Sequence, residues 1–473
     1  MIKFSGIIFI LLASISAMPQ SRRAVQRPAD QASAPARPAV PVKQLFDEAN
    51  SYTQRKFAEF EQKKVPFSER LRLDTERDQK QLAAKHAAAS GERTDLTTED
   101  VYYVGLLYWI SENLDRTNES LKKYLTLEDR SADKAQTARS IIAVIAAKQR
   151  RHADAVAAIE DYLKNSPTKP SDRARMESEL SKAYFAEKNY ASAAHHSSEA
   201  YKAARSVLLE SGITQRGLDE TLDAAMQLFE SHRAGGDQKS AEAALDDLIN
   251  TGAAIGSSSL FAYVWDKLIV YQIETGRKAA AMENYLTALI MAGKELPTKT
   301  QQSDAVARLK RREKQYRLLG ESAPEFTGID QWFPGKNQTL ASLKGKVVLL
   351  DFWATWCGPC FDAFPSLAEW HQDYGSDGLV ILGMTRYYGR GEGLTLDRPS
   401  EIAFLQRFKE KHALPYDFVV AGDQSTQSAY AATTLPTAVL IDRTGVIRYI
   451  ESGTNPTRIE ELRSAMLRLL AEK

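Results

Sequence analysis

The 473 residues predict a multidomain chain, an all-α region of stacked helix pairs followed by an α/β domain on a mixed central sheet. Three observations lead there. From about residue 43 to 314, Ala, Leu, Glu, Lys and Arg dominate, and apolar residues recur three and four apart, the period of helices that bury one face. Near Gly320 the pattern breaks at Pro324, Gly328, Pro334 and Gly335 and turns to short apolar runs alternating with helical stretches. Both cysteines of the chain, Cys357 and Cys360, fall in this last part, at the end of one such run. With 62 basic against 61 acidic residues there is no global field to attract nucleic acid or an anionic membrane. Two thiols can form neither a disulfide-stapled scaffold nor a four-thiolate metal site, so they act as a pair.

Ahead of the helices, Lys3, an apolar stretch over 7–13 and the small residues Ser14, Ser16 and Ala17 read as a secretory signal over 1–17, cut after Ser16 or Ala17. Arg22 and Arg23 leave retention as an uncleaved anchor open. Residues 18–42, with Pro28, Pro35, Pro38 and Pro41 among Ala, Gln, Ser and Arg, read as a disordered tether.

The helical region, 43–319, repeats one design. Stretches 141–163, 180–200, 225–249 and 268–289 each read as helix, polar break and second helix with small residues at its start, and 104–125 is a fainter copy. Taking Ser120, Ala155, Ala193, Ala241 and Ala281 as markers gives spacings of 35, 38, 48 and 40, close to the period of helix-pair solenoids. The breaks Asn189-Tyr190 and Gly236-Asp237, with Ala193 and Ala241 after them, resemble tetratricopeptide repeats; a plain helical domain with packing alanines would use the same residues. The resemblance implies a concave surface that docks a protein or peptide. His195 and His196 are adjacent, so on a helix they diverge and cannot share a metal. The basic run Arg308, Lys310, Arg311, Arg312, Lys314 and Arg317 lacks an accompanying aromatic pattern and reads as a solvated helix face or a domain joint, with no nucleic-acid partner.

In the last region, 320–473, buried strands are expected over 347–353, 379–384 and 437–441, a turn at Asp442-Arg443-Thr444-Gly445 into a strand over 446–450, and helices from the cysteines toward Tyr374, over 401–411 and over 457–471. Trp356-Cys357-Gly358-Pro359-Cys360 stands where strand meets helix. There the unpaired N–H groups of a helix start favour a thiolate, lowering the first cysteine from about 8.5 into a range of roughly 3.5 to 7.5. Cys357 is therefore the expected nucleophile, and Cys360, with two residues between them, resolves the mixed disulfide, the pair closing as a redox-active disulfide.

The run VVLLDFWATWCGPC resembles thioredoxin-fold proteins, and residues 321–473, about a third of the chain, are similar to the exported TlpA/ResA-like thiol-disulfide oxidoreductases. Pro365 matches the helix-kinking proline of thioredoxins, and Leu435-Pro436-Thr437 occupies the place of their cis-proline. The resemblance implies a bacterial periplasmic location, no cofactor, and protein disulfides as substrates, bound by Trp356, Gly358 and Pro359 around the cysteines and by Leu435 and Pro436, beside which an extended segment pairs. It also implies a membrane electron donor of the DsbD-like type. Asp351, six residues before Cys357, stands where thioredoxins carry a buried acid, a proton acceptor for Cys360. Where many relatives have Glu, three residues after the second cysteine, this chain has Ala363, with Asp362 beside it. Residues 386–399 read as a mobile loop beside the cysteines, meeting substrate through Tyr387 or Tyr388. The expected activity is a protein-disulfide reductase whose helical region docks partners. A binding scaffold with a redox-sensing domain is the alternative, and the absence of a Pro-x-x-x-Thr-x-x-Cys setting leaves peroxide consumption unexpected.

Overall fold

The computed structural model describes residues 40–472 apart from 211 and 392, so the expected leader and all but the end of the expected tether lie outside the described residues. The chain parts into two compact units between Asn113 and Leu114. In the first, α1 (Val42–Asn50), α2 (Tyr52–Gln62), α3 (Glu69–Gly91) and α4 (Thr98–Ile110) bury Ala49, Ala83, Ala87 and Leu107 completely. Helix α1 starts at Val42, inside the segment expected to be tether, because its hydrophobic side faces inward.

The second unit opens with a run of helices, each packed against the next: α5 (Leu114–Thr126), α6 (Ala132–Lys148), α7 (His152–Lys164), α8 (Pro170–Ala186), α9 (Tyr190–Glu210), α10 (Gln215–Ala234), α11 (Gln238–Ala254), α12 (Ser258–Glu274), α13 (Lys278–Glu295) and α14 (Lys299–Leu318). One local device recurs at the breaks. Glu112, Arg150, Lys188, Gly236 and Gly276, each two residues before the next helix, hold φ between 56° and 78°. The following N–H then bonds the carbonyl five residues back: Asn113 to Tyr108, Arg151 to Ala146, Asn189 to Tyr184, Asp237 to His232 and Arg277 to Gln272. This satisfies carbonyls a helix end would leave open. The fourth residue of each following helix is Thr117, Ala155, Ala193, Ala241 or Ala281, all 0% exposed. The sequence marker Ser120 is thus corrected to Thr117: α5 begins at Leu114, which turns Ser120 to a half-buried position.

The C-terminal part is a thioredoxin fold. Its sheet contains β1 (Ile329–Phe333), β2 (Val347–Phe352), β3 (Leu379–Arg386), β6 (Asp417–Ala421), β7 (Thr437–Ile441) and β8 (Ile447–Ser452) in the order β1-β6-β3-β2-β7-β8, with a two-residue hairpin β4 (Arg390–Gly391) and β5 (Leu394–Thr395) outside it. Strand β2 runs parallel to β3 and antiparallel to β7, so the sheet is mixed. Helices α15 (Phe364–Tyr374), α16 (Arg398–Lys411), α17 (Ser425–Ala429) and α18 (Pro456–Ala471) complete it.

Side-chain alternation along β2 divides two cores. Val347 and Leu349, with Trp353 just beyond the strand, join Phe364, Leu367, Phe408, Leu462, Met466 and both cysteines under α15, α16 and α18. Val348, Leu350 and Phe352 point the other way and share one core with Phe261, Ile269 and Tyr316 of the preceding helices. Thus one of the two cores crosses the boundary read at 319/320 while the core holding the cysteines lies wholly beyond it, and the helices from α5 onward belong to the same compact unit as the sheet.

Polar contacts fasten the joint. Arg312 on α14 pairs with Asp266 of α12 at 2.8 Å and with Glu451 of β8 at 3.2 Å, and donates to the Ile450 carbonyl at 3.0 Å. Tyr316 donates to Asp266 at 2.7 Å, Gln315 donates to Ser452 at 3.1 Å, and Lys267 meets Glu461 of α18 at 2.7 Å. Burial opposes the Arg312 charge, but the Asp266 and Glu451 carboxylates outweigh it and hold the guanidinium well above its ordinary value.

Candidate redox site

The site grows from the end of β2. All six residues of this central strand are buried, and the chain leaves it through Trp353 and Ala354 into the Cys357–Cys360 turn. The cysteines are joined as a disulfide with Cα atoms 5.4 Å apart. Cys357 precedes a 3-10 helix, Gly358–Asp362, and α15 starts only at Phe364. That corrects the expectation of one helix running from the cysteines: Pro359 and Pro365 each lack an N–H, and the chain re-registers between them. The Cys360 N–H donates to the Cys357 carbonyl at 3.0 Å, keeping the turn tight. Cys357 is 5% exposed and Cys360 1%, so the first sulfur is nearer solvent.

Trp356, by contrast, is 49% exposed and forms the rim. Its ring meets Tyr388 edge-on with centroids 5.4 Å apart, and the Arg390 guanidinium lies 5.0 Å from its centroid. The stretch 386–399 therefore does border the cysteines, through Tyr388. Tyr387 instead bonds Asp330 and carries Arg398 over its ring. The stretch is pinned where a mobile loop was expected: the N–H groups of Tyr388 and Gly389 donate to the buried Glu401 carboxylate at 2.8 and 3.0 Å, and Leu396 N–H donates to the Gly389 carbonyl. Sequence reasoning missed Glu401; its only signal was an acid in the first turn of a helix after Asp397-Arg398-Pro399, easily taken for a dipole partner.

Beneath the turn, Trp353 is stacked with Phe408, centroids 5.2 Å apart, and touches Phe364 and Phe418. A Cβ at Gly383, on the neighbouring strand, would fall 3.0 Å from Phe418 and from Trp353 Nε1, so glycine is what allows this floor to close.

Asp351 sits on β2 between Gly383 of β3 and Ala438 of β7, 3% exposed. Its Oδ2 has no hydrogen-bond partner among the described residues. Burial without compensation pushes its carboxyl up to about 7. A cavity of about 30 Å³ touches Asp351, Pro436, Ala363, Tyr449, Glu451 and Arg458, large enough for a water. Ala363, lacking the carboxylate of many relatives, borders this cavity, whereas Asp362 is exposed. The Leu435–Pro436 peptide is cis. The Pro436 carbonyl accepts from Gly453 N–H at 2.7 Å, and Thr437 shares a 2.8 Å hydroxyl contact with Ser452, which fixes the loop to the end of β8. Pro436 and Asp351 are thus brought to one cavity, with the disulfide in the core on the same face of the sheet.

Among the described residues no group of His, Cys, Asp and Glu is arranged to hold a metal. The adjacent histidines are occupied otherwise: His196 bonds buried Glu177 at 2.7 Å and stacks on Tyr184.

A thioredoxin fold carrying a Cys-Gly-Pro-Cys disulfide at a strand end, over a buried acid and beside a cis-proline, defines a thiol-disulfide oxidoreductase. The family model described as Redoxin matches residues 318–466. Thiol-disulfide oxidoreductase ResA of Geobacillus thermodenitrificans is 30% identical over 136 residues, covering 29% of this chain and 70% of that one. ResA of Bacillus subtilis is 33% identical over 135 residues, 28% and 68% of the two chains. Protein DipZ of Mycobacterium bovis is 32% identical over 143 residues, covering 30% of this chain and 20% of that larger protein. The chain belongs to the ResA-like thiol-disulfide oxidoreductases through its C-terminal part.

Proposed function

We propose that this chain is an exported protein-disulfide reductase of the bacterial periplasm. The Cys357 thiolate attacks a substrate disulfide and expels one substrate thiolate. Cys360 passes its proton to Asp351, and its thiolate then attacks the mixed disulfide and expels the second. The substrate gains two electrons and two protons, one released from Asp351 and one taken from solvent, and the enzyme ends as the Cys357–Cys360 disulfide. A membrane donor of the DsbD-like type returns the electrons. The observation that carries this reading is the unpartnered, raised Asp351 carboxyl on the same face of the sheet as the cysteines: near neutral pH it can take up and release a proton.

Substrate segments lie against Trp356, Gly358, Pro359, Leu435 and Pro436, and the helix-pair array, tetratricopeptide-like in design, chooses the partner. Leu286 and Ile290, one turn apart on α13 and each 58% exposed, support such docking. The leader directs export, and cell fractionation tests it. Reduction of insulin by the wild type beside Cys357→Ser and Cys360→Ser tests the chemistry. Turnover is expected only in the wild type, with a trapped mixed disulfide on Cys357 in Cys360→Ser. Absence of turnover with any thiol donor would return the chain to the scaffold reading. Equilibration with glutathione tests direction: a potential near about −270 mV supports a reductase, one near about −120 mV an oxidant.

A further inference from the structure

At the joint between the helices and the redox fold lies a cavity of about 280 Å³, walled by Arg233, Tyr271 and Glu274 on one side and by Arg448, Tyr449, Arg468 and Glu472 on the other. Its charged groups sort into two settled sets and one remainder. Arg233 is held by Glu274 at 3.0 Å and Glu230 at 3.1 Å. Arg448 is held by Glu472 at 3.0 Å and Asp442 at 3.1 Å. Arg468 has no ion pair or hydrogen bond from its guanidinium among the described residues. Desolvation by the cavity walls, then the like charge of Arg233, push it below its ordinary value. Beside it, Tyr271 is 4% exposed and Tyr449 half-buried, and neither hydroxyl makes a hydrogen bond among the described residues. Burial raises both phenols, so both remain donors at neutral pH.

One surplus guanidinium and two unused hydroxyl donors therefore line a space of molecular size, with the acids already engaged by other arginines. These donors open onto the cavity with no protein acceptor among the described residues, and a guanidinium matches the fork of a carboxylate or phosphate. We propose that this cavity binds a small anionic molecule bearing a carboxylate or phosphate group, held by Arg468 and by the hydroxyls of Tyr271 and Tyr449. Tyr449 also walls the smaller cavity containing Asp351 and Pro436, so the occupant reaches the redox site through one side chain.

The test is calorimetric titration of the full chain with inorganic phosphate and, separately, with citrate, ionic strength being matched with chloride. Saturable binding of one or both is expected, and which one binds distinguishes phosphate from carboxylate. Arg468→Ala should weaken it at least tenfold and Tyr271→Phe severalfold; Arg468→Lys should recover part of the loss. Arg468 is exposed, so its variants should keep the wild-type unfolding midpoint in the absence of anion, which separates lost binding from lost fold. Failure of both probes to bind saturably, or equal binding by wild type and Arg468→Ala, overturns the proposal. Neither result bears on insulin reduction by Cys357 and Cys360.

Discussion

Two aspartates, one on each side of the redox sheet, show opposite solutions to the same problem. Asp266, in the joint on the helical side, accepts from Tyr316 and pairs with Arg312. Burial tends to raise its pKa, but Arg312 and these bonds win, and the carboxyl is held below its ordinary value. Asp351, on the cysteine side, is more deeply enclosed and has no such partner, so its carboxyl is raised to about 7. The helical side compensates its charges and becomes a fixed joint. The cysteine side leaves one acid uncompensated, which costs stability and creates a group able to exchange a proton near neutral pH.

The comparison breaks most sharply at Arg312. Its replacement in Arg312→Ala leaves Asp266 with the Tyr316 hydroxyl and Glu451 with Arg458 but takes the shared guanidinium from both, which should cost about 1–3 kcal/mol. Urea denaturation should show that loss. Because Arg312 holds Ile450 and Glu451 on the strand whose next residue, Ser452, contacts Thr437 beside Pro436, KM for insulin should rise more than for a small disulfide. An Arg312→Ala variant with wild-type stability would show that the joint is solvated and not structural.

Asp351→Asn probes the other side. The native state keeps a proton that the unfolded chain sheds near 3.8, so wild-type stability should fall as pH rises from about 4 to about 7, by up to roughly 1.4 kcal/mol per pH unit, and level off above. The variant should lack that slope and be the more stable protein at pH 8, while its rate of disulfide reduction falls by about a hundredfold. Parallel stability profiles for the two proteins between pH 4 and 8 would refute the raised carboxyl.

The smallest effect belongs to the helix breaks. Arg150 holds φ 56° where the equivalent breaks at Gly236 and Gly276 use glycine. Arg150→Gly should therefore stabilise the chain by about 0.5–1 kcal/mol, read as a small rise in the thermal midpoint, with insulin reduction unchanged.

Much of the redox site was legible because its chemistry is local. The spacing of Cys357 and Cys360, the apolar run before them and the position of Asp351 all lie within a few residues of one strand end. Likewise, the helix breaks were visible as polar interruptions, although the buried residue of the fainter pair proved to be Thr117, since helix phase depends on the first residue and not on residue type. The edge strand β1 and the short β6 went unseen: IDQWF and DFVVA are too brief to announce themselves without their pairing. The role of Glu401 escaped for a similar reason, its partners being backbone groups twelve and thirteen residues away.

Sequence by itself determined that a redox-active pair would sit at a strand–helix junction after a long helical region, because periodicity and a two-residue spacing are properties of adjacent residues. Only the tertiary structure decided that the basic run on α14 contributes one half-buried residue, Arg312, to a joint, and that the helices from α5 onward share a compact unit with the sheet. Those outcomes depend on which face of β2 each side chain takes and on contacts more than a hundred residues apart, such as Arg312 with Ile450 and Glu451. Long-range pairing of this kind leaves no local pattern, so Asp266 and Asp351 look alike in the chain and become opposites only in the fold.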